Sequence, residues 1–176
     1  MTASSAEARA LVLLRHAKSA WPDVPDQDRP LARRGQRDVP AIGRWLRTVG
    51  CVPDQVLCST ARRAVETWQL AQTRLGATPP VTFDDGVYQA SAAQLAQLVR
   101  QVQPGVRTLL VVGHNPTMQE LAFMLAGDGS DAEASQGIAI KFPTAAIAIL
   151  EFDGDWAELD RGAARLTRFV IPSELR

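Results

Sequence analysis

Cysteine is scarce: Cys51 and Cys58 are the only two in 176 residues. They make no disulfide framework, and neither a Cys-x-x-Cys nor a His-x-x-x-His spacing occurs, so no zinc site is expected. Net charge is also missing, because 19 Lys and Arg balance 19 Asp and Glu. That gives no support to a nucleic-acid partner or a polybasic membrane contact. Long apolar runs are absent too: "AAIAIL", as long as any in the chain, is far too short to span a membrane. The opening "MTASSAEARA" has neither the basic start nor the apolar stretch of a signal peptide. A reduced, cytoplasmic protein is the expectation.

Other familiar signatures are missing. There is no Walker A pattern and no G-x-S-x-G elbow. "GDGSD" fits neither a dinucleotide loop nor a full calcium loop, and no repeat, low-complexity tract or linker interrupts the chain. What is present is a globular composition, 46% hydrophobic and 22% charged, at a length that suits one domain. That domain is expected over residues 10–176, behind a flexible N-terminus at 1–9.

The apolar pattern alternates between two periods. "LVLL" at 11–14, "QVLCS" at 55–59, "VTF" at 81–83 and "TLLVV" at 108–112 read as strands. Between them Val39, Ile42, Trp45, Leu46 and Val49 recur at helical spacing, as do Ala64, Trp68, Ala71 and Leu75. Leu95, Leu98, Val99 and Val102 mark a third helix, and Met118, Leu121, Ala122 and Leu125 a fourth. Pro40 lies inside the first helical segment, so a helix start or a kink is expected there. "AAIAILEF" and "ARLTRFVI" read as two late strands around the turn signal "DGD". Strands alternating with helices imply an α/β fold: a single three-layer α/β/α domain on a mostly parallel sheet, with a possible antiparallel edge. Ligands bind such sheets at the carboxyl ends of the strands.

Three of those ends carry polar residues suited to one task. The first strand runs into "RHAKS", the second into "STARRAVET", the fourth into "GHNP". The chain has only two histidines, His16 and His114, and both fall directly after strands. Arginine offers a planar fork of donors that matches phosphate oxygens. A neutral imidazole is a nucleophile. A phosphoryl group clamped by arginines is therefore open to in-line attack by histidine, through a phosphohistidine and without a metal or cofactor. Plainer roles compete. A single histidine after a strand is commonly structural, an Arg-Arg pair commonly a solvated helix start, and an arginine paired with Glu66 would be a stability device.

At these residues the sequence resembles the histidine phosphatase superfamily, the phosphoglycerate mutase-like proteins. The name-giving Arg-His-Gly reads here as Arg15, His16 and Ala17. The second signature matches Ser59, Arg63, Ala64 and Thr67, and the third matches Gly113 and His114. The resemblance implies a phosphoglycerate mutase-like fold, His16 as the nucleophile, and Arg15, Arg63 and His114 as ligands of the phosphoryl oxygens. It implies Arg63 rather than Arg62. The short length, "RHAKS", "RPLARRG" and "FPTAAIA" look most like the small SixA-like branch, typified by a phosphohistidine phosphatase.

Two departures stand out. Ala17 replaces the motif glycine, which would cost about 1 kcal/mol or more if φ were positive there. Pro22 stands where mutase-type members carry an asparagine, so Ser19 is a candidate replacement contact, with Asn115 beside His114. The leaving-group acid is also unsettled: only Asp84 and Asp85 lie in the expected region, and either could instead cap the next helix. A site without a strong acid suits phosphohistidine better than an alkyl phosphate, because imidazole, with a conjugate-acid pKa of about 6.5, can leave already protonated. The expected substrate is thus a phosphorylated protein carrying phosphohistidine. A small phosphate ester is the alternative, and a non-catalytic phosphate-binding module a third reading. A phosphomutase fits less well, because little insertion sequence is available to cage an intermediate.

Overall fold

A computed structural model describes residues 8–175. Strands β1 (Arg9–Arg15), β2 (Gln55–Ser59), β3 (Val81–Asp84), β4 (Thr108–Gly113), β5 (Ile147–Phe152) and β6 (Arg165–Val170) form one sheet in the order β3-β2-β4-β1-β5-β6. The first four are parallel, β5 is antiparallel to β1, and β6 antiparallel to β5. The fold is the mostly parallel three-layer sandwich expected, and the two late strands supply its antiparallel side.

Period-two alternation divides the core. Val12, Leu14, Val56, Cys58, Leu110, Val112, Ile147 and Ile149 face α1 (Arg33–Thr48) and α2 (Arg62–Gln72). Leu11, Leu13, Leu57, Leu109, Val111, Ala148 and Leu150 face the other way. There they meet α4 (Ala92–Arg100), α5 (Thr117–Leu125) and α6 (Ala132–Ile140). A short α3 (Asp85–Tyr88) follows β3. Strands covered on both faces must be apolar throughout, which is why "LVLL" and "TLLVV" show no alternation.

The helix stripes read from the sequence lie inward. Ala64, Trp68, Ala71 and Leu75 are all buried, as are Val39, Ile42 and Leu46. Pro40 neither starts nor ends its helix: α1 begins at Arg33, and Pro40 lies inside it. The start is silent because its first turn is polar and Ala32, at the N-cap, offers no side-chain cap. Helix α6 also escapes the sequence reading, since only Ala134 and Ile138 are buried along it. No helix is long and apolar enough to cross a membrane among the described residues.

One boundary needs correcting. Of the N-terminus expected to be flexible over 1–9, residues 1–7 lie outside the described residues, and Arg9 is the first residue of β1. Its guanidinium is buried and held by the carbonyls of Pro104 and Gly154 and by Asp155, at the amino edge of the sheet. Residue 176 likewise lies outside the described residues.

Candidate active site

Strand register brings the polar residues together. Arg15 is the partner of Gly113, and the His16 N–H donates to the Gly113 carbonyl at 2.9 Å. Cys58 pairs with Val112, so Ser59 ends β2 beside the end of β4. His16, His114 and Ser59 therefore sit on three adjacent strands at the carboxyl edge. The imidazoles of His16 and His114 lie with centroids 5.1 Å apart. Gly113 lies between them, and a Cβ there would displace the Met118 methyl, 2.8 Å away.

His16 is 7% exposed, and its Nδ1 lies 2.8 Å from the Ala17 carbonyl. A carbonyl only accepts, so Nδ1 carries the proton and Nε2 keeps its lone pair. Burial, then the positive field of Arg63 and Arg15 together with His114, pushes its pKa down to about 3, against the pull of the Ala17 bond. His114 is pushed down to about 4 by burial first, then by Arg63 and Arg15, with Asp26 opposing. Both rings are neutral at neutral pH. The outcome is an uncharged imidazole, its Nε2 lone pair free, among guanidinium groups, an arrangement able to attack an anionic phosphoryl group in line.

The arginines are positioned differently. Arg15 donates through Nη1 to the Phe142 carbonyl at 3.0 Å, while its buried Nε has no protein partner. Arg63, 7% exposed, donates to the Asp26 carbonyl at 2.8 Å and to the Asp26 carboxylate at 3.0 Å. Both of those bonds run to Asp26, one through each terminal nitrogen of the guanidinium. Arg62, by contrast, is exposed and pairs with Glu66 at 3.2 Å. The ion pair with Glu66 exists, then, but it belongs to Arg62.

Helix α2 also secures the loop behind the nucleophile. The Thr67 hydroxyl donates to the Arg63 carbonyl at 2.7 Å and accepts from the Ala17 N–H at 3.0 Å. Ala17 is fully buried and its φ is ordinary: among the described residues Ala145 is the one non-glycine with positive φ. The position requires a small side chain rather than glycine's backbone freedom. Gly35 serves the same loop, since a Cβ there would lie 2.3 Å from the Lys18 carbonyl oxygen.

The remaining sequence candidates are engaged elsewhere. Ser19 accepts from Arg29, a buried arginine that also bonds the Ala20 carbonyl and Asp26 and lies under the exposed Trp21 ring. Asn115 donates to the Phe142 carbonyl at 2.9 Å and accepts from the Gln119 N–H, at the start of α5. Asp84 is the N-cap of α3, accepting from the Gly86 N–H, and Asp85 accepts from the Thr60 hydroxyl. None of the four makes a direct bond to His16 or His114.

Asp26 and Tyr88 come into the site without having been singled out in the sequence. The Tyr88 hydroxyl donates to the Asp26 carboxylate, and its ring lies edge-on to His114 at 5.5 Å. The Tyr88 hydrogen bond first, then those from Arg29 and Arg63, hold the Asp26 carboxyl well below the usual carboxylate range. Asp26 is one of several aspartates in "WPDVPDQDRP", and nothing local separates it from Asp23 or Asp28. Tyr88 had one signal, being the only tyrosine in the chain.

Comparison with known proteins shows the family and the fold. Residues 11–93 match the family model of the histidine phosphatase superfamily, branch 1. An uncharacterized protein of Mycobacterium tuberculosis strain H37Rv is 45% identical over 161 residues, covering 90% of this chain and 99% of that one. A solved structure from Nakamurella multipartitia, named as a phosphohistidine phosphatase, SixA, is 33% identical with a TM-score of 0.85, covering 96% and 99%. A SixA structure from Agrobacterium tumefaciens is 30% identical with a TM-score of 0.76, covering 93% and 99%.

Proposed function

The chain belongs to the histidine phosphatase superfamily, within its SixA-like branch, and from that premise we propose a metal-independent phosphatase that removes phosphate from phosphohistidine in a protein. In this mechanism Arg15, Arg63 and His114 hold the phosphoryl oxygens. Nε2 of His16 bonds to phosphorus as the substrate's P–N bond breaks, and the substrate ring, already protonated on its other nitrogen, leaves as neutral imidazole. Water then attacks the phosphohistidine on His16, giving inorganic phosphate, a released proton and the neutral ring.

The observation that carries the substrate reading is the state of the nearby carboxyls. Asp26 is held ionised by Tyr88, Arg29 and Arg63, Asp84 caps α3, and Asp85 takes the Thr60 hydroxyl. An alkoxide needs a proton as it leaves, and losing general-acid help costs roughly 10²–10⁴ in rate. Transfer from one imidazole to another exchanges like bonds and needs no such acid. Among the described residues no three His, Cys, Asp or Glu side chains gather into a set that could hold a metal ion.

The test is a substrate panel run in the presence of EDTA: a phosphohistidine peptide, a phosphoserine peptide, sugar phosphates and an aryl phosphate. Phosphohistidine is expected to exceed the alkyl phosphates in kcat/KM by about 100-fold or more. An acid-free quench should show a phosphate adduct by mass spectrometry that is absent from His16→Ala. Equal turnover of sugar phosphates would overturn the substrate reading, and EDTA inhibition the metal-free one. Binding of phosphate with neither adduct nor turnover would make the protein a binding module.

A further inference from the structure

The hydroxyl of Ser59 is fully buried at the end of β2 and has two contacts. It accepts the Ala61 N–H at 3.1 Å, in the turn that leads into α2. It also lies 2.7 Å from Nε2 of His114. The second contact can be read in two directions. Either the ring donates Nε2–H to the hydroxyl oxygen, or the hydroxyl donates to the bare Nε2.

Proton accounting decides between them. A hydroxyl carries one proton and loses free energy if that proton is buried without an acceptor, by about 1–3 kcal/mol. Ser59 has no route to solvent, and the Ala61 N–H is a donor and cannot take the proton. Nε2 of His114 is the one acceptor the structure places within reach among the described residues. The serine therefore donates, Nε2 is the acceptor, and in the neutral ring the proton must sit on Nδ1. That Nδ1 is itself buried and has no protein partner.

We infer that Ser59 is a positioning residue that fixes His114 as the Nδ1–H tautomer, so that the ring offers an N–H donor to a phosphoryl oxygen. With the opposite tautomer, Nδ1 would present a lone pair, which repels an anionic oxygen. The backbone turn holds the hydroxyl and the hydroxyl sets the ring, so the device costs no charge. Arg15 at the end of β1, His16 just after it, Arg63 on α2, and Tyr88 with Asp26 are the charged and titratable groups facing the ring. The role at the phosphoryl group rests on the proposed phosphatase reading, but the tautomer does not.

The experiment is long-range ¹H–¹⁵N correlation on histidine-labelled protein at pH 7. Only two imidazoles contribute, and His16→Ala assigns the other by deletion. Both rings are expected as Nδ1–H, His16 because of the Ala17 carbonyl and His114 because of Ser59. In Ser59→Ala, His114 is expected to gain Nε2–H while His16 stays unchanged and serves as the check on an intact site. kcat/KM should fall by roughly tenfold, short of the 10²–10³ lost with an oriented donor itself. Ser59→Thr, which keeps the hydroxyl, should restore the Nδ1–H signal. An Nε2–H His114 in the unaltered protein, or a His114 pattern indifferent to Ser59→Ala, overturns the inference. The expected tautomers in a protein inert toward every phosphate would instead overturn the phosphatase reading and leave the tautomer standing.

Discussion

Acidification from pH 7 to pH 5 should unfold this protein more easily, and the two histidines should account for the effect. In the folded chain His16 is pushed down to about 3 and His114 to about 4, so both stay neutral over that window. In the unfolded chain each titrates near 6.5 and takes up a proton. The unfolded state then binds more protons, so stability falls as pH falls. At pH 5 an unfolded histidine lies about 1.5 pH units below its pKa, and each unit is worth about 1.4 kcal/mol. His16 thus accounts for a loss of about 2 kcal/mol, and His114 for a similar amount. Unfolded carboxylates titrate near 4, and the contribution of the ionised Asp26 is lost only below that value, so neither blurs the window. The assay is denaturant unfolding at pH 7, 6 and 5 for the unaltered chain and for His16→Gln. The slope against pH is read, which cancels any direct effect of the substitution. The unaltered chain should lose roughly 4 kcal/mol and His16→Gln about half of that. A flat profile, or equal slopes for the two proteins, would refute the claim that burial keeps these rings neutral.

Two further substitutions probe how the site is held. Arg63→Ala should lower kcat/KM by roughly 10²-fold or more, as loss of an oriented donor does, while Arg62→Ala, on an exposed pair with Glu66, should change it little; equal losses in a steady-state assay would misplace the phosphate ligand. Thr67→Val keeps the shape but strands the buried Ala17 N–H, so chemical denaturation should show a loss of about 1–3 kcal/mol, and an unchanged midpoint would show that Thr67 does not secure the nucleophile loop.

Much of this was legible because the chemistry is joined covalently to the sheet. Arg15 ends β1 and His16 follows it directly, His114 follows β4, and Ser59 closes β2. Once the strands are recognised, parallel pairing forces these residues to one edge. Asp26 and Tyr88 were not legible for the converse reason. Asp26 reaches Arg63 across 37 residues, and Tyr88 reaches Asp26 across 62, from loops whose path depends on tertiary contacts. The organiser of that path is Arg29, which bonds Ala20, Asp26 and Ser19 at once and lies under Trp21. No local pattern marks an arginine as buried. The start of α1 and the whole of α6 escaped similarly, one for want of a capping side chain and the other because its buried stripe is only two residues deep.

Pro22 stands where the resemblance to mutase-type proteins would place an asparagine. An asparagine there would add one donor to the phosphoryl side of the site. That side already holds the Arg63 guanidinium, the unpartnered Nε of Arg15 and the unpartnered Nδ1 of His114. Such donors stabilise the charge that develops on the equatorial oxygens. The leaving-group side is different: its nearest carboxylate, Asp26, is bound by two arginines and a tyrosine and so held ionised. On the proposed phosphatase reading, a site with many donors for the transferred group and no acid for the departing one selects by chemistry rather than by shape. That selection would favour substrates whose leaving group brings its own proton, as an imidazole ring protonated on its second nitrogen does and a serine or threonine oxygen does not.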